Sequence, residues 1–319
     1  MKAYALPAAD QPVSFVDVPV PQAPQGGLLI RVRAASVNGI DVFQSKGFLV
    51  GVMPHEFPAI VGRDFAGVVE AVGDGHDAFA VGHEALGFIP VWPTVHMGTY
   101  AEVIAVSPQL PVVRKPAGLS FETAAAIPLA GATAMDVFDA VDPEAGDVAL
   151  VIGATGGVGS IAVQLAAQRG ATVIATAKAG DEDAFVRSLG AAETIDYAIE
   201  DVADVVRRRY PAGVDALIDL VDRNEALAAL SAIVRDGGRI STTMNAVDAE
   251  ALAARRIAGA NVAGMPTTEK LAYLAGQAAT GELRIEIQQT FPFAEVPAAL
   301  DTFMAGTRGK VVVRVSDPT

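Results

Sequence analysis

The spacing of apolar and polar positions changes near residue 117. Before that point, short apolar runs at 28–35, 66–72 and 100–106 are separated by turns rich in proline and glycine. Short runs bounded in this way are typical of β-strands, and no long stretch has helical spacing. The pattern therefore predicts an all-β domain over residues 1–116.

From Ser120 onward the pattern predicts helices that alternate with buried strands. Strands are predicted at 148–152, 172–176, 193–195, 216–220 and 239–242, and helices at 133–140, from 160, at 181–189 and at 224–234. The helix at 224–234 is predicted to stop at Gly237-Gly238. This alternation specifies a parallel, doubly wound sheet, so residues 117–267 are predicted to form a second, α/β domain.

The alternation ends near residue 268. A helix is predicted at 268–280, ending at Gly281, followed by a strand at 284–291, a helix at 294–304 and a last strand at 310–315. A sheet of the second domain has no evident place for these elements. We expect residues 268–319 to return to the first domain and complete it.

The junction of the 148–152 strand with the next helix is a glycine cluster. A tight strand-to-helix turn leaves the first backbone N–H groups of the helix free at the positive end of its dipole, where a pyrophosphate binds. The spacing Ala154-x-Gly156-x-x-Gly159 is the dinucleotide fingerprint with alanine in the first position. The predicted cofactor-binding residues here are Ala154, Thr155, Gly156, Gly157, Val158 and Gly159.

Composition narrows the choice of partners. The formal net charge of −14 argues against nucleic acid and anionic membrane surfaces. The absence of cysteine excludes disulfides, thiol nucleophiles and thiolate metal sites. The sequence contains no apolar stretch of membrane-spanning length and begins without a secretory apolar segment. We expect a soluble, cytoplasmic protein with no membrane and no nucleic-acid partner.

Several stretches in a fixed order carry a resemblance to a known family. They are Val37-Asn-Gly-Ile-Asp41, Val61-Gly-Arg-Asp-Phe-Ala-Gly-Val68, Gly98-Thr-Tyr-Ala-Glu102, Ala126-Ile-Pro-Leu-Ala-Gly-Ala-Thr133, the fingerprint, Asp236-Gly-Gly-Arg-Ile240 and Arg308-Gly-Lys-Val-Val312. Over nearly its whole length the chain resembles the medium-chain dehydrogenase/reductase superfamily, and within it the zinc-independent quinone oxidoreductases related to zeta-crystallin. The resemblance implies a GroES-like β-barrel domain, completed by the C-terminal segment, and a Rossmann domain with a doubly wound parallel sheet.

The resemblance also bears on metal binding. In zinc alcohol dehydrogenases a cysteine falls in the stretch that matches 37–41, and a Gly-His-Glu segment matches Gly62-Arg63-Asp64. Here cysteine is absent and arginine, which does not ligate zinc at ordinary pH, takes the histidine position. The four histidines have no i, i+4 pair and are interpreted as solvated loop residues; they are His55, His76, His83 and His96. We expect no metal.

The end of the second strand of the predicted parallel sheet indicates which nicotinamide cofactor is used. Units that prefer NAD carry a carboxylate there, about 20 residues after the fingerprint, to hold the ribose hydroxyls. This chain has Lys178 instead, which favours the 2′-phosphate of NADPH, although it could be an ordinary surface lysine. Three carboxylates at 181–183 lie just beyond and could weaken the effect. Tyr197 matches a tyrosine that packs at the same phosphate in related enzymes.

Further site residues are implied by the resemblance alone. The positions expected near the cofactor are Thr133, Val221, Thr242, Thr243, Met244 and Lys310. Asn38 and Asp41 correspond to positions beside the nicotinamide and are the candidate catalytic residues.

The expected reaction is a hydride transfer from NADPH to an activated acceptor. Without a metal to polarise the alkoxide, direct oxidation of an unactivated alcohol is difficult. A quinone or an α,β-unsaturated carbonyl can accept the hydride without a metal. The expected substrate pocket is apolar and aromatic, with Phe43, Phe48, Phe88 and Trp92. No general acid is assigned, because phenylalanines stand where relatives often have tyrosines.

Three alternatives are considered, and one of them, a nucleic-acid-binding role that some relatives have, is opposed by the net charge of −14. The first of the other two is reduction of a 2-enoyl thioester or an alkenal by the same chemistry. The second is an NADPH-binding sensor or structural protein with little turnover. A homodimer is expected from edge-strand pairing in relatives, with the edge near 259–265.

Overall fold

A computed structural model describes residues 1–316, which fall into two units. The first comprises Met1–Leu129 together with the described residues from Pro266 onward, and the second is Ala130–Met265. Residues 117–129, assigned above to the second domain, lie in the first unit because a short helix at 121–125 packs on four strands of its sheet. Residues 317–319 of the predicted 268–319 segment lie outside the described part.

Sixteen strands and ten α-helices are found within residues 1–316. The strands are β1 (Lys2–Leu6), β2 (Ser14–Asp17), β3 (Leu28–Ser36), β4 (Ala59–Ile60), β5 (Asp64–Val72), β6 (Glu84–Phe88), β7 (Val103–Val106), β8 (Val112–Arg114), β9 (Val148–Ile152), β10 (Thr172–Thr176), β11 (Glu193–Ile195), β12 (Val214–Asp219), β13 (Val234–Thr242), β14 (Ala258–Asn261), β15 (Ile287–Pro292) and β16 (Lys310–Arg314). The helices are α1 (Gly39–Ser45), α2 (Phe121–Ala125), α3 (Pro128–Val141), α4 (Gly157–Gln168), α5 (Asp181–Ser188), α6 (Val202–Arg209), α7 (Glu225–Ser231), α8 (Ala249–Ala253), α9 (Thr268–Thr280) and α10 (Val296–Met304). A 3-10 turn at Phe293–Glu295 precedes α10.

The first unit is built on a seven-stranded, mainly antiparallel sheet. Its strand order is β15-β16-β3-β5-β6-β8, and β7 also pairs with β3. The C-terminal strand β16 lies antiparallel to β3, with Val312 opposite Ser36. The tail of the chain therefore completes this unit, as the sequence analysis expected. A separate small sheet has the order β2-β1-β4.

Helix α1 interrupts the run of strands that the pattern predicted for residues 1–116. Its cap explains why it forms: Asn38 and Asp41 make a capping box, in which the Asp41 carboxylate accepts the backbone N–H of Asn38 at 2.8 Å. At seven residues the helix is too short for its apolar spacing to stand out from that of a strand.

The second unit is a six-stranded parallel sheet. Its order is β11-β10-β9-β12-β13-β14, and every adjacent pair is parallel. The chain starts at the central strand β9, builds outward to β11, then returns to β12 and builds toward β14. This is the doubly wound arrangement, in which ligands bind at the carboxyl ends of the strands where the direction of winding changes.

The helix predicted at 224–234 is longer than the observed helix α7. Helix α7 ends at Ser231, and strand β13 begins at Val234 and passes through Gly237 and Gly238. The pairing of β13 with β12 jumps from Val214↔Val234 to Ala216↔Arg239, so the glycines form a bulge rather than a helix stop. Gly237 has a φ of +74°, which glycine adopts without strain.

Within residues 1–316 no helix combines the length and the apolar character that crossing a membrane requires.

Candidate functional site

The turn between β9 and α4 is the centre of the candidate site in the second unit. Gly153 has a φ of +76°, and its N–H donates to the Thr176 hydroxyl at 3.0 Å. The N–H of Gly156 donates back to the Gly153 carbonyl at 3.2 Å. These bonds hold a tight turn at the carboxyl end of the central strand.

The two glycines of the fingerprint, Gly156 and Gly159, have different structural roles. A Cβ on Gly159 would lie 2.1 Å from the Gly153 carbonyl oxygen, so this glycine is required for α4 to pack against the turn. A Cβ on Gly156 would come no closer than 3.6 Å to the described atoms outside its immediate neighbours. The bare backbone at Gly156 is therefore not demanded by packing, and it leaves room for a ligand.

The N-terminus of α4 is suited to an anion. Gly156 is the cap residue, and within residues 1–316 the helix has no side-chain cap and no carboxylate in its first turn. The first N–H groups of a helix carry a partial positive charge that a phosphate can neutralise. Around this turn Ala154 is buried, whereas Thr155, Gly157 and Val158 are partly accessible.

Lys178 and Tyr197 are brought together beside the end of β10. The Lys178 ammonium lies 5.5 Å from the centre of the Tyr197 ring. Both residues also contact Glu182: its carboxylate is 3.9 Å from the Lys178 ammonium, and it accepts the Lys178 backbone N–H at 2.9 Å and the Tyr197 hydroxyl at 3.4 Å. Lys178 and Tyr197 are exposed, so a cation and an aromatic face are offered to solvent.

Four other predicted residues of this unit lie at or just after the carboxyl ends of its strands, and Thr133 lies on α3. Val221 is exposed after β12. Thr242, the last residue of β13, is buried, and its hydroxyl accepts the Met244 N–H at 3.0 Å; Thr243 and Met244 are partly accessible. Thr133 is buried on α3, so tightly that a Cβ on Gly264 would lie 1.8 Å from its hydroxyl oxygen.

Sequence reasoning missed an acidic pair at the end of β12. Asp219 is fully buried, and one of its carboxylate oxygens accepts the N–H groups of Val221 and Asp222 at 2.9 Å each. Burial, with Asp219 as a like-charged neighbour, raises the pKa of Asp222 to about 6. The signal in the sequence was an aspartate closing the strand Val214–Asp219 directly after three apolar residues, Ala216, Leu217 and Ile218.

In the first unit, Asn38 lies in a buried polar network. Its amide donates to the Asp64 carboxylate at 2.9 Å, and its amide oxygen accepts from the Lys310 ammonium at 2.6 Å. Lys310 also donates to the Val37 carbonyl at 2.9 Å. Asp41, fully buried, holds the backbone of Asn38 from the other side.

Two acidic and two basic side chains share this network. Burial raises the pKa of Asp41 to about 7 against the opposing effect of Arg63, and burial also raises the pKa of Asp64. Burial lowers the pKa of Arg63 to about 10 and also lowers that of Lys310. Paired buried charges are costly to break singly, because removal of one partner leaves the other uncompensated.

Arg63, which the sequence analysis considered only as a replaced metal ligand, is fully buried and bonded to five oxygens. Its guanidinium donates to the Gln44 side-chain oxygen at 2.6 Å and to the carbonyls of Ile60 at 2.9 Å and Met97 at 3.0 Å. It also donates to the carbonyls of Pro90 at 3.1 Å and Ile89 at 3.5 Å.

Of the four residues predicted to line an aromatic pocket, Phe43 and Phe48 are in contact. The Phe43 and Phe48 rings meet edge-on, with centres 5.7 Å apart, and both side chains are exposed. Phe88 ends β6 opposite Asp64, and Trp92 follows in the next loop with 55% of its surface exposed. These positions place all four aromatic residues in the first unit.

The donor set does not fit a metal ion. Among residues 1–316 no group of three or more histidine, cysteine, aspartate or glutamate side chains is placed to hold one. The position that would supply a histidine ligand is occupied by the fully buried, cationic Arg63, whose two terminal nitrogens donate to oxygen atoms.

Two family descriptions match the chain. "Alcohol dehydrogenase GroES-like domain" matches residues 24–117, and "Zinc-binding dehydrogenase" matches residues 189–313. Together they extend over parts of both units.

Individual relatives agree with these matches. The mouse protein named "NAD(P)H oxidoreductase RTN4IP1, mitochondrial" is 30% identical over 90% of this chain and 81% of its own length. The tomato "2-methylene-furan-3-one reductase" is 33% identical over 72% of this chain and 58% of its own length. The structure of the quinone oxidoreductase from Coxiella burnetii is 32% identical, covers 99% of both chains and has a TM-score of 0.86.

The parallel sheet with its glycine turn, the mainly antiparallel unit completed by the C-terminal strand, and these likenesses lead to one assignment. The chain belongs to the medium-chain dehydrogenase/reductase superfamily, a family of nicotinamide-dependent oxidoreductases, with a GroES-like domain and a Rossmann domain.

Proposed function

We propose that this chain is an NADPH-dependent, zinc-independent reductase that transfers hydride to a quinone or an α,β-unsaturated carbonyl. The observation that carries the proposal is the arrangement in the second unit. An uncapped helix N-terminus stands after the central strand, and an exposed lysine–tyrosine pair stands after the neighbouring strand.

The glycine turn is assigned to the pyrophosphate of the cofactor. Gly156 presents bare backbone, and the first N–H groups of α4 supply donors and a favourable dipole. Thr133, Val221 and the 242–244 segment are assigned to the remaining cofactor contacts, in keeping with the resemblance. The positions of Val221 and of the 242–244 segment, at or just after the ends of β12 and β13, support this assignment.

The pair Lys178 and Tyr197 is assigned to the 2′-phosphate. A cation beside an aromatic face suits a phosphate on a sugar that packs against the ring. Glu182 shares the Lys178 charge, so the preference for NADPH over NADH is expected to be moderate rather than absolute.

The residues of the first unit are assigned to the acceptor side. Asn38 is assigned a contact with the reacting groups, while Asp41, which is fully buried and holds the Asn38 backbone, is a positioning residue. Lys310 fixes the Asn38 amide oxygen in the same way. Phe43, Phe48 and Trp92 are exposed and Phe88 is half-buried, and apolar surface of this kind favours a flat acceptor and excludes water.

Since the donor set does not fit zinc, the proposal uses no Lewis acid. When bound, NADPH supplies the hydride. The acceptor must therefore delocalise the incoming charge itself, as a quinone does into a phenolate and an enone into an enolate, which then takes a proton from water. The names of the tomato and Coxiella burnetii proteins, an enone reductase and a quinone oxidoreductase, support these two acceptor classes.

The experiment must also distinguish two other functions. Reduction of a 2-enoyl thioester or an alkenal needs the same residues, and only a comparison of acceptors separates it from the proposal. A nicotinamide-binding protein with little turnover would share the glycine turn but show no reduction of any acceptor.

The deciding experiment compares NADPH with NADH, using 9,10-phenanthrenequinone, a simple enone, an alkenal and a 2-enoyl thioester in a buffer containing a metal chelator. Chelator-insensitive oxidation of NADPH with the quinone or enone supports the proposal. Preference for NADH contradicts the role of Lys178, and a requirement for added zinc contradicts zinc independence. Tight NADPH binding without turnover favours the binding protein.

A homodimer is also proposed. Strand β14 is the edge of the six-stranded sheet, and an edge strand that pairs with its copy across a two-fold axis would cover its free backbone groups. Sedimentation equilibrium should then give twice the mass of one chain, and the mass of a single chain would contradict it. The cytoplasmic location stays a prediction; the name of the mouse relative places that protein in mitochondria.

A further inference from the structure

Two acidic side chains of the second unit meet at the carboxyl end of β12. Asp219 is fully buried, and its Oδ1 atom accepts the backbone N–H groups of Val221 and Asp222 at 2.9 Å each. Its Oδ2 atom is buried and receives no N–H or O–H donor from the described residues. The half-buried carboxyl of Asp222 lies within hydrogen-bonding reach of the Asp219 carboxyl. A proton held between the two carboxyls would give the buried oxygen its donor.

This shared proton is lost near neutral pH. Burial, together with Asp219 as a like-charged neighbour, raises the pKa of Asp222 to about 6. The segments beside the pair, 153–158 and 242–244, contain no ionisable side chain, and the charged residues that follow in the chain, Arg223 and Glu225, are exposed. The pair therefore gains a second negative charge as the pH rises through about 6.

The loop that carries Asp222 packs on the glycine turn assigned to the pyrophosphate. In the sheet, Asp219 stands opposite Ile152, the last residue of β9. A Cβ on Gly153, the next residue, would lie 2.8 Å from a methyl carbon of Val221. A cofactor bound at this turn is therefore expected to pass beside the acidic pair.

The other assignments indicate which half of the cofactor reaches β12. In a doubly wound sheet a dinucleotide crosses the strand ends where the direction of winding changes, with one nucleoside on each side. Lys178 and Tyr197, assigned to the 2′-phosphate of the adenosine half, follow β10 and β11 on one side of β9. Strand β12 lies on the other side of β9, so its carboxyl end is expected to face the nicotinamide half.

We propose that Asp222, which shares a proton with Asp219, makes the site discriminate between the oxidised and the reduced cofactor. The nicotinamide ring carries a positive charge in NADP⁺ and none in NADPH. Loss of the shared proton adds a negative charge that attracts the ring of NADP⁺ and finds no charge on the ring of NADPH. The inference rests on the proposed function for its cofactor, and it deepens that function by naming the residue that selects the redox state.

The proposed coupling is reciprocal. Ionisation of the pair tightens the binding of NADP⁺ relative to NADPH, so binding of NADP⁺ must in turn favour release of the proton. The proposed reduction leaves NADP⁺ in the site at the end of each turnover. At acid pH the protonated pair then favours exchange of this product for NADPH.

The test measures the ratio of the dissociation constants of NADP⁺ and NADPH as a function of pH. NADPH is titrated by its own fluorescence, and NADP⁺ by competition with NADPH. Both nucleotides carry the pyrophosphate and the 2′-phosphate, so titration of these groups and of Lys178 cancels in the ratio. The ratio is expected to fall by about threefold to fivefold between about pH 5 and pH 8.

Calorimetry supplies a second readout that does not depend on turnover. Titrations in two buffers of different ionisation enthalpy give the number of protons released on binding. At about pH 6, NADP⁺ should release roughly a third of a proton more than NADPH does, the value that goes with a fivefold coupling.

Asp222→Asn removes the charge that is proposed to act on the ring. Its ratio of dissociation constants should be independent of pH, and the additional proton release should vanish. Its affinity for NADPH at about pH 5, where the wild-type pair is protonated, should stay within about twofold of the wild type.

Asp219→Asn is the second variant. It keeps an oxygen for the two backbone N–H groups and offers an amide donor to the carboxylate of Asp222. The pKa of Asp222 should then fall, because its like-charged neighbour is gone. The decrease of the ratio should be retained but occur about one pH unit lower.

Glu144→Gln is the matched control. Glu144 is an exposed carboxylate of the same unit, but it precedes β9 and so lies near the amino end of the sheet. Its loss removes one negative charge far from the strand ends that are assigned to the cofactor. The variant should keep the wild-type ratio at every pH.

A ratio independent of pH in the wild type, or a wild-type profile in Asp222→Asn, would overturn the inference. Equal weakening of NADP⁺ and NADPH by Asp222→Asn would also overturn it, since the carboxyl would then bind a part common to both nucleotides. A pH-dependent ratio in a protein that reduces no acceptor would support the inference and overturn the proposed function. A protein that binds neither nucleotide would overturn both.

Discussion

Lys178 shares its charge with a carboxylate of its own chain, and this sets how strongly it can bind a phosphate. Lys178→Ala is expected to weaken NADPH binding by about tenfold to a hundredfold, since a charge-assisted contact is lost, with little effect on NADH. Fluorescence titration with both nucleotides measures the two dissociation constants. Arg207→Ala is the control, because Arg207 is also exposed and paired with a carboxylate, Asp204, in the same unit. Equal weakening of NADPH and NADH would contradict the assignment of Lys178.

Glu182 competes with the cofactor for the same ammonium. Glu182→Gln keeps an oxygen for the Lys178 N–H and removes the negative charge, so NADPH should bind more tightly by about threefold to tenfold. The gain should shrink in high salt, where exposed charges are screened. The same titration in low and high salt checks this, with Glu144→Gln, an exposed carboxylate of the same unit, as the control. Weaker binding of NADPH to Glu182→Gln would show that the carboxylate orients Lys178 rather than competing for it.

The candidate site was predictable from the sequence where a residue type has one role at one place in a strand–turn–helix unit. The fingerprint and Lys178 could be found because their positions follow from the ends of β9 and β10. Glu182 was noticed only as part of a charged run, since its contact with Tyr197 depends on how the loops after β10 and β11 meet. Arg63 and Asp219 could not be assigned roles, because their partners are distant in the chain or lie on backbone atoms.

At the scale of single elements, the two glycines of the turn before α4 are expected to differ in role: Gly159 in packing and Gly156 in cofactor binding. Gly159→Ala places a methyl group 2.1 Å from the Gly153 carbonyl oxygen and should lower the free energy of unfolding by about 1–3 kcal/mol. Gly156 has an ordinary φ of −71°, and a methyl group there meets described atoms only at 3.6 Å. Gly156→Ala should therefore keep wild-type stability and lose NADPH affinity by about tenfold or more. Denaturant unfolding and nucleotide titration of both variants measure the two quantities. Unchanged NADPH binding by Gly156→Ala would contradict the assignment of the pyrophosphate to this turn.

The elements themselves were predictable to different degrees, for physical reasons. Strands β9, β10 and β11 were predicted with their observed bounds, because a buried parallel strand is a short apolar run between turn residues. Helix α9 was also predicted correctly, since Thr267 caps its first turn and Gly281, with a φ of +79°, ends it. The predictions were wrong at helix α1, which was not predicted, and at the start of β13, where a helix was predicted. A capping box in the first case and a glycine bulge in the second override the local apolar pattern.

At the scale of the whole molecule, a chain with a net charge of −14 still buries charge of both signs. The surface excess is acidic, so the cations that matter to the proposed function are few and individually placed. Lys178 is exposed in the second unit, and Arg63 and Lys310 are buried in the first. Salt should therefore screen the charge of Lys178 and have little effect on the charges of Arg63 and Lys310.

The buried carboxyl of Asp41 should make the stability of the first unit depend on pH near neutrality. Its pKa rises from 3.8 to about 7 on folding, so the folded state holds the proton over a range in which the unfolded state releases it. The stabilisation is fully present below pH 3.8 and is lost as the pH rises through 7, with a slope of at most about 1.4 kcal/mol per pH unit. Asp41→Asn keeps an oxygen for the Asn38 N–H and has no proton to lose. Its unfolding free energy, followed by Trp92 fluorescence in urea, should therefore fall less than that of the wild type between pH 6 and 8.

Asp222→Asn is the control for this measurement. The pKa of Asp222 rises to about 6, so its own contribution is lost as the pH rises through 6, and it belongs to the second unit, which contains no tryptophan. The pH dependence reported by Trp92 should be the same in Asp222→Asn as in the wild type. A wild-type slope retained in Asp41→Asn would mean that Asp41 is ionised at all these pH values. Arg63 would then outweigh burial in setting the charge of Asp41, and the network would hold a full ion pair beside Asn38.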